Sequence, residues 1–128
     1  MGNPREYHTQ QVHYIRKTLT FSDQGTEVVV GWLPSGAVIH KAASGTFVST
    51  AFDGTSPVLD IGANTGNDDP DEWATDLALG TTTFVPLDEA IGTYLLTADT
   101  EVTATIGGSG AAAGSCEVLI VYIPDNDG

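Results

Sequence analysis

Cationic side chains are scarce in this sequence: four Lys and Arg face 17 Asp and Glu, for a formal net charge of −13. Proteins that grip nucleic-acid phosphates do so through clusters of Lys and Arg, so DNA or RNA binding is not expected of the main surface. There is a single cysteine, Cys116, which excludes an internal disulfide framework. No run of about 18 apolar residues occurs and nothing has the layout of a secretory leader, so neither a membrane-spanning helix nor an export signal is expected. A Gly-x-Ser-x-Gly elbow is missing, and His8, His13 and His40 lack the spacing or cysteine partners of a zinc ligand set. Nothing in these residues forms a catalytic constellation, and the expectation is a protein that is not an enzyme.

What is present fits one folded domain. A chain of 128 residues has room for one core, and 41% hydrophobic content is enough to fill it. The charge is unevenly placed. All four basic residues, Arg5, Arg16, Lys17 and Lys41, lie in the first 41 positions with only three acids, whereas the remaining 87 positions hold 14 acids and no base. Residues 1–10 carry Gly2 and Pro4 and no hydrophobic period, which predicts a flexible N-terminal arm ahead of a single domain over 11–128.

From position 11 onward the pattern is period two. Ile15, Leu19 and Phe21 share one face of a strand with His13 and Lys17, while Tyr14 and Arg16 share the other. Further strands are predicted at 27–33, 37–41, 46–52, 57–61, 82–87, 92–97, 101–106 and 116–123, separated by turns rich in Gly, Pro, Asp and Ser. Trp32, Trp73, Phe47 and Phe52 are core candidates. The last strand is apolar almost throughout, which predicts a central place in its sheet. Asp69-Pro70-Asp71-Glu72 reads as an N-cap, a first-turn proline and an acidic first turn, with Trp73 and Leu77 four apart and Gly80 as a stop. That combination predicts one short helix over 70–78. The fold class expected is therefore all-β: an antiparallel β-sandwich or jelly roll of about eight to nine strands with one short helix and an extended N-terminal arm.

Two motifs have stronger bland readings than functional ones. Asp60, Asn64, Asn67, Asp68, Asp69, Asp71, Glu72 and Asp76 are rich in the oxygen ligands that calcium takes, but their spacing is not that of a calcium loop and the helix cap accounts for several of them. Gly108-Ser109-Gly110 spells part of a dinucleotide fingerprint, yet a strand follows it and no Lys is near, so it reads as a flexible loop over 107–115. No metal and no cofactor are expected. Cys116, opening a core strand with no basic neighbour, reads as a buried, inert thiol.

The stretches Val-Val-Val-Gly-Trp-Leu-Pro-Ser-Gly-Ala-Val-Ile (28–39) and Thr-Ala-Phe-Asp-Gly-Thr-Ser-Pro-Val-Leu-Asp-Ile-Gly (50–62), with Asp-Pro-Asp-Glu-Trp-Ala (69–74), Leu-Thr-Ala-Asp-Thr-Glu-Val-Thr-Ala-Thr-Ile (96–106) and Cys-Glu-Val-Leu-Ile-Val-Tyr-Ile (116–123), resemble small virion structural proteins of tailed bacteriophages. Some proteins of that kind decorate or cement the capsid. The resemblance implies a non-enzymatic protein on the capsid exterior, assembled in the host cytoplasm, with the major capsid protein as partner, a homo-oligomeric state, and neither nucleic acid nor membrane as ligand. Arg5, Tyr7, Arg16 and Lys17 are the partner-binding candidates, because the positive charge is concentrated there. Two alternatives remain open at this point: a carbohydrate- or receptor-binding sandwich module, and a head–tail or tail component.

Overall fold

The computed structural model describes residues 12–63, 69–89 and 94–124. Its strands are β1 (His13–Thr20), β2 (Glu27–Leu33), β3 (Val38–Ile39), β4 (Gly45–Thr50), β5 (Thr55–Ala63), β6 (Asp69–Ala78), β7 (Phe84–Pro86), β8 (Thr100–Ser109) and β9 (Ser115–Ile123). One sheet runs β1-β9-β4-β7, with the short β3 also on β9; the other runs β2-β8-β5-β6. All pairings are antiparallel. The pairs β1·β9, β2·β8, β4·β7 and β5·β6 are nested, as in one long hairpin, and β4·β9 and β5·β8 close that hairpin into two packed sheets. This is the connectivity of a jelly roll.

The core lies between the sheets and is supplied by alternate residues of each strand. Leu19 of β1, Leu33 of β2, Val48 of β4, Leu59 and Ile61 of β5, Val102 and Ile106 of β8, and Val118 and Ile120 of β9 are all buried. At one open edge Ile15 lies against Gly31, where an added Cβ would come within 3.2 Å of the Ile15 Cδ1. A bulge in β2 between Val29 and Gly31 turns the strand at that point. Among the described residues no buried side-chain nitrogen or oxygen lacks a hydrogen-bond partner. Where β3 and β4 separate along β9, the Ser44 hydroxyl accepts from the Val121 N–H at 2.8 Å and donates to the His40 carbonyl at 2.7 Å. The side chain thus replaces a missing ladder partner.

The sandwich, the central place of β9 and eight of the strand positions agree with the sequence reading, allowing for shifts at their ends. The helix over 70–78 does not: those residues are in β6. The four-residue spacing of Trp73 and Leu77 reads as about one helical turn. Both are buried in the strand, at 1% and 3% exposure, but not by simple alternation: adjacent Ala74 is buried too, and β6 sets an extra residue against β5 between Ala74 and Leu77. Pro70 is tolerated because β6 is the edge of its sheet. The ladder to β5 jumps between Leu59↔Leu77 and Ile61↔Ala74, so β6 carries extra residues, one of which, Asp76, has φ +55°. That irregularity broke the simple alternation in the sequence. The predicted arm and part of the predicted strand at 92–97 lie outside the described residues; within the latter, Leu95 makes only an isolated bridge to Val38.

Candidate functional site

Of the four residues expected to meet a partner, Arg5 and Tyr7 lie outside the described residues. Arg16 and Lys17 are adjacent on β1, the edge of the five-stranded sheet, and both are exposed. Their side chains leave opposite faces. Arg16 stands on the outer face opposite Leu119 and donates from Nη2 to Glu117 Oε2 at 2.9 Å. Hydrogen bonding to Glu117, then its charge, holds the guanidinium pKa above its ordinary value. Both partners are well hydrated, so the pair neutralises charge locally and adds little stability. Lys17 is opposite Val118 in the register, yet remains exposed at the sheet edge.

Two aromatic assignments are corrected. Trp32 is not in the core: it is 55% exposed, opposite Glu101 on the outer face of the other sheet, and with Leu33, Pro34 and Asp99 it lines an open cleft of about 410 Å³. The β2 bulge reverses the alternation on which the core assignment depended. Phe47 is 51% exposed, next to Glu117 and Phe84 in the register, whereas Phe52 is buried as expected. Alternation in β4 turns Thr46 and Val48 inward, both at 0% exposure, and so puts the large ring between them on the outer face.

The glycine-rich segment after β8 is clamped rather than free. Asp53 Oδ1 accepts from the N–H groups of Ala112 at 2.6 Å and Ala113 at 3.0 Å, and Gln24 Oε1 accepts from Ala111 N–H at 3.1 Å. These are the amides a phosphate would need, and the chain's own side chains occupy them. The same bonds, Ala112 first, hold the Asp53 carboxyl below its usual pKa.

Carboxylates also stabilise the β6 irregularity. Asp60 Oδ1 accepts from Asp76 N–H at 2.8 Å, and Asp88 Oδ1 accepts from Thr75 N–H at 3.0 Å. Among the described residues no three His, Cys, Asp or Glu side chains are arranged to hold a metal ion. Residues 64–68 of the calcium candidate lie outside those described. His40 Nδ1 accepts from Ala43 N–H at 3.2 Å, and His13 lies 5.8 Å from the Tyr122 ring. Cys116 is buried, and that burial pushes its thiol pKa up, which keeps it unreactive at neutral pH.

Burial, and then the charges of Asp76, Asp71 and Asp88, raise the pKa of Asp60, against the Asp76 N–H bond that lowers it. The folded chain therefore holds this proton more tightly than the unfolded chain. Stability from this group is greatest below its unfolded pKa and falls as pH rises through the folded value. Asp60→Asn keeps the acceptor for Asp76 N–H and removes the charge. It is expected to raise Tm by about 1–3 °C at pH 7, a gain that disappears near pH 3, in thermal melts across that range. A lower Tm for the variant at pH 7 would contradict this.

No protein-family model matches the sequence, and no characterised protein matches it. Solved structures do match by shape. A chain of the cyanophage Pam1 capsid asymmetric unit superposes with a TM-score of 0.65 at 17% identity, over 90% of this chain and 86% of that one. A chain of the acid-stable capsid of Helicobacter pylori bacteriophage KHP30 gives 0.65 at 15% identity, over 91% of both. A chain of the capsid of Ralstonia phage GP4 gives 0.62 at 19% identity, over 91% and 86%. The class the topology defines is thus a single small jelly roll. This chain shares that fold with chains of three bacteriophage capsids.

Proposed function

We propose that this chain is a non-enzymatic structural protein of a bacteriophage virion, which binds the outside of the capsid and cements it by bridging neighbouring capsid subunits. The observation that carries this reading is the mutual coverage of the structural matches, 86% or more of each capsid chain. The matched chains are therefore small jelly rolls of nearly this chain's length, not one part of a much larger shell protein. The major capsid protein is the partner, and the binding chemistry is multivalent. A bound oligomer touching several subunits makes each later contact intramolecular, so modest contacts add up to slow dissociation. Arg5, Tyr7, Arg16 and Lys17 supply the docking contacts, and the acidic remainder faces solvent, where it resists nonspecific adhesion. Membrane and nucleic acid have no part in this reading.

Cosedimentation with expanded capsids stripped of accessory proteins tests it. The full chain is expected to pellet with the particles. The triple variant Arg5→Gln, Arg16→Gln, Lys17→Gln is expected to bind at least about tenfold more weakly at low salt and with a shallower salt dependence. Failure of the parent chain to bind capsids overturns the reading. Equal binding by the triple variant at every salt concentration overturns its docking residues.

One observation favours a second reading. Trp32 exposes its ring in an open cleft that Asp99 also lines, its Oδ1 held by the Ser35 N–H at 2.9 Å, and a flat aromatic in a cleft with a carboxylate is what a sugar ring stacks on. Retention on a host polysaccharide column, lost in Trp32→Ala, with no capsid binding, would replace the capsid reading with that one.

A further inference from the structure

We propose that the outer face of the five-stranded sheet is the surface through which copies of this chain associate with one another. The inference deepens the capsid reading and rests on it only for the biological use of the oligomer, since the observations that carry it are properties of the sheet itself.

Register places successive outward residues of β9, from Leu119 through Val121 to Ile123, in one line down the middle of this face. Tyr14 flanks that line on the β1 side at 58% exposure, and Val38 and Phe47 flank it on the other at 42% and 51%. Gly45, opposite Leu119, adds no side chain to cover it. A soluble protein rarely leaves so many apolar groups contiguous on a face without a partner for them. Four strands spaced about 4.8 Å apart and a β9 of nine residues make a face of roughly 20 × 30 Å, or about 600 Å². That approaches the ~800 Å² per partner of a standard interface.

Charge selects the occupant. The chain carries −13, so two copies repel unless they meet where carboxylates are few. On the outward positions of these paired strands the one carboxylate is Glu117, and Arg16 beside it cancels its charge. The opposite sheet instead turns outward Glu27 and Asp60, both in register with Thr105, and Glu101, in register with the exposed Trp32. A cationic partner would be drawn to that acidic face. The neutral face, apolar and holding one charge of each sign already paired within the chain, is complementary to its own duplicate.

Sedimentation velocity and light scattering on the full chain between about 1 and 100 μM read the state directly. The parent is expected to be oligomeric. Tyr14→Glu with Phe47→Glu is expected to raise the dissociation constant at least a hundredfold while circular dichroism and cooperative melting stay unchanged, and Trp32→Glu on the other face is expected to leave it within twofold. If the double variant loses its cooperative melt, Phe47→Ser alone is read instead, with a rise of at least tenfold expected. A parent that is monomeric throughout, variants that assemble as well as the parent, or dissociation by Trp32→Glu alone each overturns the proposal. Capsid binding is scored separately. A monomeric parent that still cosediments would remove this interface and keep the capsid reading, whereas an oligomeric parent that ignores capsids would do the reverse.

Discussion

Replacing Trp73 by alanine is expected to lower Tm by roughly 10–20 °C, corresponding to a loss of about 3–5 kcal/mol. Trp73 is 1% exposed and is the largest side chain fully enclosed between the sheets. It sits on β6, an edge strand whose ladder to β5 is interrupted by extra residues, so backbone bonding there is less regular than in the sheet centre. Packing of this one ring therefore contributes much of what holds the edge against the core. Truncation removes its burial and leaves a cavity that flanking strands, themselves fixed in ladders, cannot collapse to fill. Differential scanning calorimetry checks the value. A fall of less than about 3 °C would mean that β6 is anchored by something other than this side chain.

Gly45→Ala is expected to be nearly as damaging, at about 2–5 kcal/mol, although it adds one methyl group. Gly45 opens β4 at φ +155°, a conformation that side chains rarely adopt, and it faces Pro86 across the ladder to β7. An added Cβ would overlap the Val85 carbonyl oxygen and lie 2.7 Å from Pro86 Cα. Both obstacles are backbone, so no rotamer change relieves them. The strand pair must part instead, and the Leu87 N–H, which donates to the Ser44 carbonyl at 3.0 Å, is expected to lose protection from hydrogen exchange along with the fall in Tm. Unchanged exchange at Leu87 in a folded variant would show that β7 had simply shifted to accommodate the methyl.

These two positions differ in how visible they are before folding. Trp73 announces itself as a large apolar residue four positions from Leu77, a spacing that reads as a helical turn, while the extra residue that β6 carries between them shows only in the ladder to β5. Asp69 and Pro70 tip a local reading toward a helix that the sheet overrides. Gly45 looks like any other glycine, because what forbids a side chain there is the backbone of a strand some 40 residues further along. The same holds for the candidate surfaces. Asp53 reads as half of an Asp-Gly turn, yet its carboxylate reaches the amides of Ala112 and Ala113. Trp32 and Phe47 look like core residues in strands of apolar neighbours, and one bulge and one sheet-face position put them in water.

By itself, the sequence determined the class of fold, the number and approximate place of most strands, the central position of β9, and the separation of a mildly basic start from an acidic remainder. Those properties follow from period-two alternation, turn residues and charge, all of which act over a few neighbouring positions. Only the tertiary structure decided that residues 69–78 form an edge strand, that the glycine-rich loop is clamped by Asp53 and Gln24, and which of the two sheet faces is apolar and nearly uncharged. Each of those outcomes depends on which strand lies beside which. In a jelly roll the partners are nested across the whole chain, so β1 meets β9 and β2 meets β8, and no local window of sequence contains both members of such a pair.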